Sequence, residues 1–130
     1  MVRVGATLAR ILIVEDEPDM RELMALKLGA VGHDVMTSRT GAEGLEILRS
    51  ARPDLVLLDV QLPDTSGLSV CAAVRADQEI HDMIVVMISA SAGQDEVDAG
   101  LAAGADDYVT KPFAPSNLIQ RVEALLATDR

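Results

Sequence analysis

Four short apolar runs in this chain each stop on residues that carry charge or a hydroxyl. Ile11 to Val14 leads into Glu15-Asp16, Leu55 to Leu58 into Asp59, Met83 to Ile88 into Ser89, and Tyr108-Val109-Thr110 into Lys111. Short continuous apolar runs are what strands buried on both faces require, and such strands belong to parallel sheets covered by helices. In open parallel α/β sheets, ligands bind beyond the carboxyl ends of the strands. Three carboxylates, a hydroxyl and an ammonium are therefore predicted to share one crevice.

The segments between these runs have the length and spacing of helices. Pro18 opens the first, in which Met20, Leu23, Met24, Leu28 and Val31 recur at helical spacing before Gly29 and Gly32 end it. His33 to Ser38 alternates weakly and reads as the one strand without a polar terminus, so it is predicted as an edge strand. The second helix is predicted from Gly41 to Ser50, with Ala42, Leu45 and Leu48 on one side, stopping before Pro53. A third is expected over Gly67 to Ala76, and Met83 to Ile88, the most apolar run, is expected at the sheet centre. Gly93 to Ala103 makes a poor fourth helix, because Gly93 and Gly100 each cost about 1 kcal/mol relative to Ala in a helix interior. Val97 and Leu101 are its expected anchors. Asp107 to Thr110 is predicted as the fifth strand. Pro115 begins a last helix with Leu118, Ile119, Val122, Leu125 and Leu126 facing inward. Five βα units with short connections predict one doubly wound α/β domain spanning residues 1–130, with its core from about residue 10 to 126.

Composition narrows the class. With 130 residues there is room for a single domain with a real core, and 49% hydrophobic against 25% charged residues reads as globular. No apolar stretch approaches the roughly 20 residues of a membrane span. Met1 to Arg10 lacks the apolar run and cleavage site of a secretory signal, so a cytoplasmic protein is expected. Acidic residues outnumber basic ones by 21 to 11, a net charge of -10 that disfavours nucleic acid and anionic membranes. Cys71, the only cysteine, lies in an apolar helical pattern and reads as buried and structural. His33 and His81 sit in predicted loops with no second ligand at metal spacing, and are expected to be solvated.

Each polar strand terminus alone is compatible with an ordinary turn, cap or surface charge. Together, the acidic ones raise an electrostatic problem. Two like charges about 4 Å apart at an effective dielectric near 20 repel by about 4 kcal/mol, so Glu15, Asp16 and Asp59 call for protonation or a cation. An all-oxygen donor set without paired His or Cys suits a hard divalent ion, and Mg2+ fits a half-open site completed by water and phosphate. Lys111 and Ser89 are candidates to bind phosphate oxygens, and Asp59, at a strand end, is the candidate nucleophile.

The motifs ILIVEDEPDMRELM, PDLVLLDVQLPDTSGL, VVMISA and GADDYVTKPF carry a resemblance to the receiver domain of bacterial two-component response regulators, over roughly Arg10 to Leu126. The resemblance implies a flavodoxin-like sheet of order 2-1-3-4-5. It also implies Mg2+-dependent transfer of a phosphoryl group to Asp59 from the phosphohistidine of a sensor histidine kinase or histidine phosphotransfer protein. By the same match Asp16 and Asp59 ligate the metal directly, Glu15 acts through water, and the Gln61 backbone carbonyl completes the protein ligands. Mn2+ is expected to substitute. Ser89 and Lys111 would bind the phosphoryl oxygens. Ser89 and Tyr108 would form a switch that alters the face of the fourth helix, fifth strand and fifth helix for a downstream output domain or protein. Lys111-Pro112 matches the family's cis peptide.

The resemblance further implies a phosphoacceptor rather than an enzyme, with only autophosphorylation from small donors and autodephosphorylation. Asp107 and Arg121 match one ion pair of a phosphorylation-dependent homodimer, but Val97 and Asn117 stand where a second pair needs charges. Glu15 replaces the more frequent Asp, and Gln61 and Ser91 hold positions that tune hydrolysis. A Mg2+-dependent phosphatase of the haloacid dehalogenase type would also use an aspartyl phosphate, but it needs an acid where Gln61 stands. A flavodoxin or nucleotide-binding module would need a Gly- or Ser/Thr-rich phosphate loop, and Glu15-Asp16-Glu17-Pro18 repels phosphate instead. The sequence is compatible both with a standalone regulator and with the receiver part of a longer protein.

Overall fold

The computed structural model describes residues 8–128, so the segment read for a secretory signal lies outside the described residues up to Thr7. Ten elements alternate: β1 (Arg10–Val14), α1 (Pro18–Ala30), β2 (Asp34–Ser38), α2 (Gly41–Ala51), β3 (Leu55–Asp59), α3 (Gly67–Ala76), β4 (Ile84–Ser89), α4 (Gln94–Ala102), β5 (Asp107–Thr110) and α5 (Pro115–Ala127). The strands form one parallel sheet of order β2-β1-β3-β4-β5. The expected order is therefore found, with β2 at an edge. The middle strand, however, is β3 and not β4, although all six residues of β4 are buried.

Register brings the strand ends level. Val14 pairs with Ser38 on one side and Leu58 on the other, Asp59 pairs with Ile88, and Ser89 pairs with Thr110. The two-residue alternation of strand side chains divides the core between the faces. Ile11, Ile13, Leu55, Leu57, Val86 and Ile88 pack with Met24 and Leu28 of α1 and Leu118 and Val122 of α5. Leu12, Val14, Val56, Leu58, Val85 and Met87 pack with Leu48 of α2 and Val70, Cys71 and Val74 of α3. Each such buried aliphatic side chain contributes about 1.5–3 kcal/mol, so the sheet's position is fixed from both faces.

Several helix faces differ from the simple apolar pattern. On α1, Met24 and Leu28 are buried while Leu23 is exposed, because a four-residue step keeps to the buried face and the three-residue step to Leu23 leaves it. Ala42 of α2 is exposed, and the buried stripe is Gly41, Gly44 and Leu48. A methyl group at Gly44 would stand 2.9 Å from Val14 Cγ2, so glycine here permits close packing of helix on sheet. On α4 Leu101 is 46% exposed and does not anchor the helix. Gly100 is buried instead, where an added Cβ would lie 2.8 Å from the Tyr108 ring. The residue that weakens α4 as an isolated helix is the one that lets it meet β5.

His33 is not solvated either. It is buried at 5% exposure, and its Nδ1 accepts the Ala9 N–H at 3.1 Å, which fastens the turn before β2 to the start of β1. His81 is exposed, as expected. Cys71 is fully buried, its Sγ lies 3.4 Å from the Ala103 carbonyl oxygen, and burial pushes its thiol above the ordinary range.

At the other edge, Arg75 at the end of α3 gathers three segments. Its guanidinium donates to the carbonyls of His81 (2.7 Å), Met83 (2.6 Å) and Gly104 (3.0 and 2.8 Å) and to Asp106 Oδ2 (3.0 Å). The same Asp106 oxygen accepts the Val85 N–H. Both side chains of the ion pair are about one-fifth exposed, so little water is available to replace these bonds. Arg75→Ala is expected to cost about 2–4 kcal/mol in urea unfolding, whereas Arg49→Ala, on a side chain 55% exposed, should change stability by less than about 0.5 kcal/mol. Equal small losses in both variants would show that the guanidinium does not hold this corner together.

Candidate functional site

Glu15 follows β1, and its backbone N–H donates to the Ser38 carbonyl at 3.0 Å, which extends the β1–β2 ladder past Val14 and turns the side chain inward. Only 2% of Glu15 is exposed. Asp59 closes β3 and is 5% exposed. Lys111 follows β5, its N–H donating to the Ser89 carbonyl at 2.8 Å, and the Lys111–Pro112 peptide is cis. These backbone positions make the three side chains converge. The Lys111 ammonium donates to Glu15 Oε1 at 2.7 Å and to Asp59 Oδ2 at 2.8 Å, crossing from β5 past β4 to β3 and β1.

The remaining carboxylate oxygens are held by backbone amides. Gln61 N–H donates to Asp59 Oδ1 at 2.9 Å, and Glu17 N–H to Glu15 Oε2 at 3.1 Å. Gly67, opening α3, lies against the Asp59 carbonyl so closely that any side chain there would collide with backbone. Ser89 is buried, and its Oγ accepts the Ser91 N–H at 3.1 Å. Tyr108 points inward at 8% exposure, its hydroxyl donating to the Ser91 carbonyl at 2.8 Å.

Asp16 behaves differently from its neighbour: it is exposed on the β1–α1 turn. Among the described residues no group of three or more His, Cys, Asp or Glu side chains is gathered closely enough to hold a metal ion. The expected three-carboxylate cluster is thus a two-carboxylate pair bridged by an ammonium, with Asp16 at its rim. Lys111 supplies the positive charge that the pair requires. The expected donors, Glu15, Asp16, Asp59 and the Gln61 carbonyl, are all hard oxygens, the donor type that Mg2+ takes.

Electrostatics follow from this burial. Desolvation pushes the Glu15 carboxyl above its ordinary value, and nearby Asp59 adds to the rise, against the opposing bond from Lys111. For Lys111, burial favours the neutral amine, but hydrogen bonds and charge attraction from Asp59 and Glu15 outweigh it and raise the ammonium's pKa.

Four residues not singled out by the sequence also shape the site. Arg21 of α1 donates to the Glu15 and Asp16 carbonyls at 3.1 and 3.2 Å and fixes the acidic turn from below. Ser38 ends β2 with a buried hydroxyl that donates to the Thr40 carbonyl at 2.9 Å. Thr40 Oγ1 caps α2 through Glu43 N–H, and Asp64 reaches that helix from the β3–α3 loop. The serine at the end of β2 was the available signal: this strand too has a polar terminus. Asp107 and Arg121 pair within the chain at 3.1 Å, and Arg121 also donates to the Tyr108 carbonyl at 3.2 Å.

The family described as Response regulator receiver domain matches residues 11–123. The DNA-binding response regulator MtrA of Mycolicibacterium smegmatis is 43% identical over 117 residues, covering 90% of this chain and 50% of MtrA. The chemotaxis response regulator CheY4 of Vibrio cholerae superposes with a TM-score of 0.87 at 28% identity, over 92% of this chain and 99% of that one. The BeF3-activated N-terminal receiver domain of Klebsiella pneumoniae RstA gives 0.85 at 30% identity, over 92% and 99%. The chain spans about half the length of the curated relatives it matches.

A raised Glu15 pKa fixes the sign of a pH effect. As pH climbs past the ordinary value of 4.5, the unfolded chain loses this proton before the folded one, so Glu15 lowers stability until it ionises in the fold as well. Without Mg2+, the stability of Glu15→Gln minus that of the natural protein should therefore grow between about pH 4 and pH 7. Urea midpoints that give a constant or shrinking difference would contradict the raised value.

Proposed function

The chain belongs to the response regulator receiver domain family, a signalling domain of two-component systems, and on that premise we propose that Asp59 is its phosphoacceptor. The observation that carries this reading is the Lys111 bridge, which sets an ammonium 2.8 Å from Asp59 Oδ2 at the carboxyl ends of the strands. In the transfer, an Asp59 oxygen attacks phosphorus, the bond from phosphorus to the donor's histidine nitrogen breaks, and its electron pair stays on the imidazole. The donor is a sensor histidine kinase or a histidine phosphotransfer protein; a small acyl phosphate can replace it.

The chain's own groups account for most of what the step needs. Lys111 already faces Asp59 Oδ2 and can follow the new negative charge onto a phosphoryl oxygen. Ser89 Oγ, as it stands, accepts a hydrogen bond and has its own hydrogen to give to a second phosphoryl oxygen. Mg2+, for which Glu15, Asp16, Asp59 and the Gln61 carbonyl are the proposed protein donors and for which Mn2+ can substitute, supplies further neutralisation of charge when bound. Gln61 is not an acid, so the dehalogenase-type phosphatase lacks its proton donor and is not favoured.

Ser89 and Tyr108 grip the same short segment: one accepts the Ser91 N–H and the other donates to the Ser91 carbonyl. Movement of Ser89 toward a phosphoryl group therefore reaches the Tyr108 ring, which packs on Gly100 of α4. This supports a switch across α4, β5 and α5 that is read by an output domain or partner protein, or by a second copy through Asp107 and Arg121. Signalling in the cytoplasm, by one receiver domain spanning residues 1–130 that does not itself contact nucleic acid, fits the charge of -10. Self-phosphorylation from small donors and loss of the phosphoryl group to water are the only turnover proposed.

Acetyl phosphate with Mg2+ is expected to add one phosphoryl group to the natural protein, read by intact mass, and none to Asp59→Asn; incorporation retained in the variant would move the acceptor elsewhere. Beryllofluoride should shift NMR signals at Ser89, Tyr108 and α4, and shifts confined to the neighbours of Asp59 would count against the switch.

A further inference from the structure

Asp64 lies five residues past Asp59, is exposed, and spends its carboxylate on another element. Its Oδ1 accepts the Gly41 N–H at 2.8 Å and its Oδ2 the Ala42 N–H at 3.0 Å, the first two amides of α2. The next amide, Glu43 N–H, goes to Thr40 Oγ1 at 3.1 Å, and Gly44 N–H to the Thr40 carbonyl at 3.0 Å. The start of α2 is thus capped half by its own Thr40 and half by a residue more than twenty positions away. Contact is close: a methyl group at Gly41 would collide with Thr65 and reach Val70 at 3.0 Å. A carboxylate at a helix N-terminus is doubly favoured, by hydrogen bonding and by the helix dipole. These amides also hold the Asp64 carboxyl below the ordinary carboxylate range.

The inner half of the same loop touches the site. Gln61 N–H holds Asp59 Oδ1, Gln61 bridges to Ser66, and Gly67 N–H returns to the Val60 carbonyl at 2.8 Å. On its far side α2 is tied through Thr40 to Ser38, whose carbonyl accepts the Glu15 N–H. A connected path therefore runs from Glu15 through Ser38, Thr40 and α2 to Asp64, and back through the loop to Gln61 and Asp59. Asp64 ties the loop to the helix in this path through both carboxylate oxygens.

We propose that Asp64 is a positioning residue for phosphoryl transfer, tethering the β3–α3 loop to the N-terminus of α2 so that Gln61 keeps Asp59 and the metal donors in place. The inference rests on the reading of Asp59 as an Mg2+-dependent acceptor. It goes beyond that reading by giving the second helix, which carries none of the acceptor groups, a part in presenting them. Because Asp64 is exposed, its substitution leaves both core clusters intact.

The test compares the natural protein with Asp64→Ala, which removes both acceptors, and Asp64→Asn, which keeps one. Loss of such a cap should loosen the loop by about three- to tenfold. In metal-free protein, amide exchange at Gln61, Gly41 and Ala42 should accelerate by that factor in Asp64→Ala while exchange in β1, β3 and β4 is unchanged. With acetyl phosphate, the Mg2+ concentration for half-maximal labelling of Asp59 should rise by a similar factor, with Asp64→Asn between the two. Unchanged exchange at Gln61 and an unchanged Mg2+ midpoint would overturn the inference and leave the Asp59 reading standing. Acceleration spread across the sheet would also overturn it, because Asp64 would then act on global stability. If the natural protein takes no phosphoryl group at all, the Asp59 reading fails and this inference with it.

Discussion

One ammonium bridging two buried carboxylates is the interaction on which this site depends. Glu15 follows β1 and Asp59 closes β3, and neither strand end could carry an uncompensated buried charge cheaply. Lys111 comes from β5, on the far side of β4, so its contact with both acids requires all four strands to finish at the same level. The parallel register provides that level edge, and the two apolar clusters lock the register by filling both faces of the sheet. Chemistry at the carboxyl edge is thus a consequence of packing in the interior. A slip of one residue in β3 would turn Asp59 away from Lys111 and drive its apolar side chains into the wrong core cluster in the same step.

The bridge also explains how a site of like charges can stand ready. Burial favours the protonated form of Glu15 and the neutral form of Lys111, yet the ammonium is stabilised because two acids share it. Such an arrangement is stable while being incompletely satisfied: Glu15 remains harder to ionise than an ordinary glutamate. Added positive charge, or transfer of the Lys111 contact to a phosphoryl oxygen, can therefore change the site without disturbing the hydrophobic core. Ser89 and Tyr108 meet at one residue, since Ser89 Oγ accepts the Ser91 N–H and the Ser91 carbonyl accepts the Tyr108 hydroxyl.

Much of this was legible in the sequence because the punctuation is strong. Pro18, Pro53 and Pro115 mark helix limits, and continuous apolar runs of strand length mark β1, β3 and β4, so all ten elements could be placed, α3 and β5 to the residue. Residues at strand ends were equally visible, since parallel strands in one sheet must bring their carboxyl ends together. What stayed hidden depends on three-dimensional closeness. Gly44 and Gly100 form buried contacts through lacking a side chain, so a count of apolar residues chose Ala42 and Leu101 instead. His33 looks like a turn residue until Ala9 is seen to donate to it. Asp64 caps a helix more than twenty residues earlier, and no local pattern announces it. Asp16, adjacent to Glu15 and chemically its equal, faces solvent because the chain turns between them toward Pro18.

The charge bridge can be observed directly. Titration of the Lys111 ammonium by nitrogen-detected NMR, in metal-free protein assigned through Lys111→Arg, should place its pKa above the ordinary lysine value of 10.5, as two carboxylates sharing the proton-bearing group require. A pKa at or below that value would mean that burial prevails over Glu15 and Asp59, and that the ammonium does not bridge them in solution.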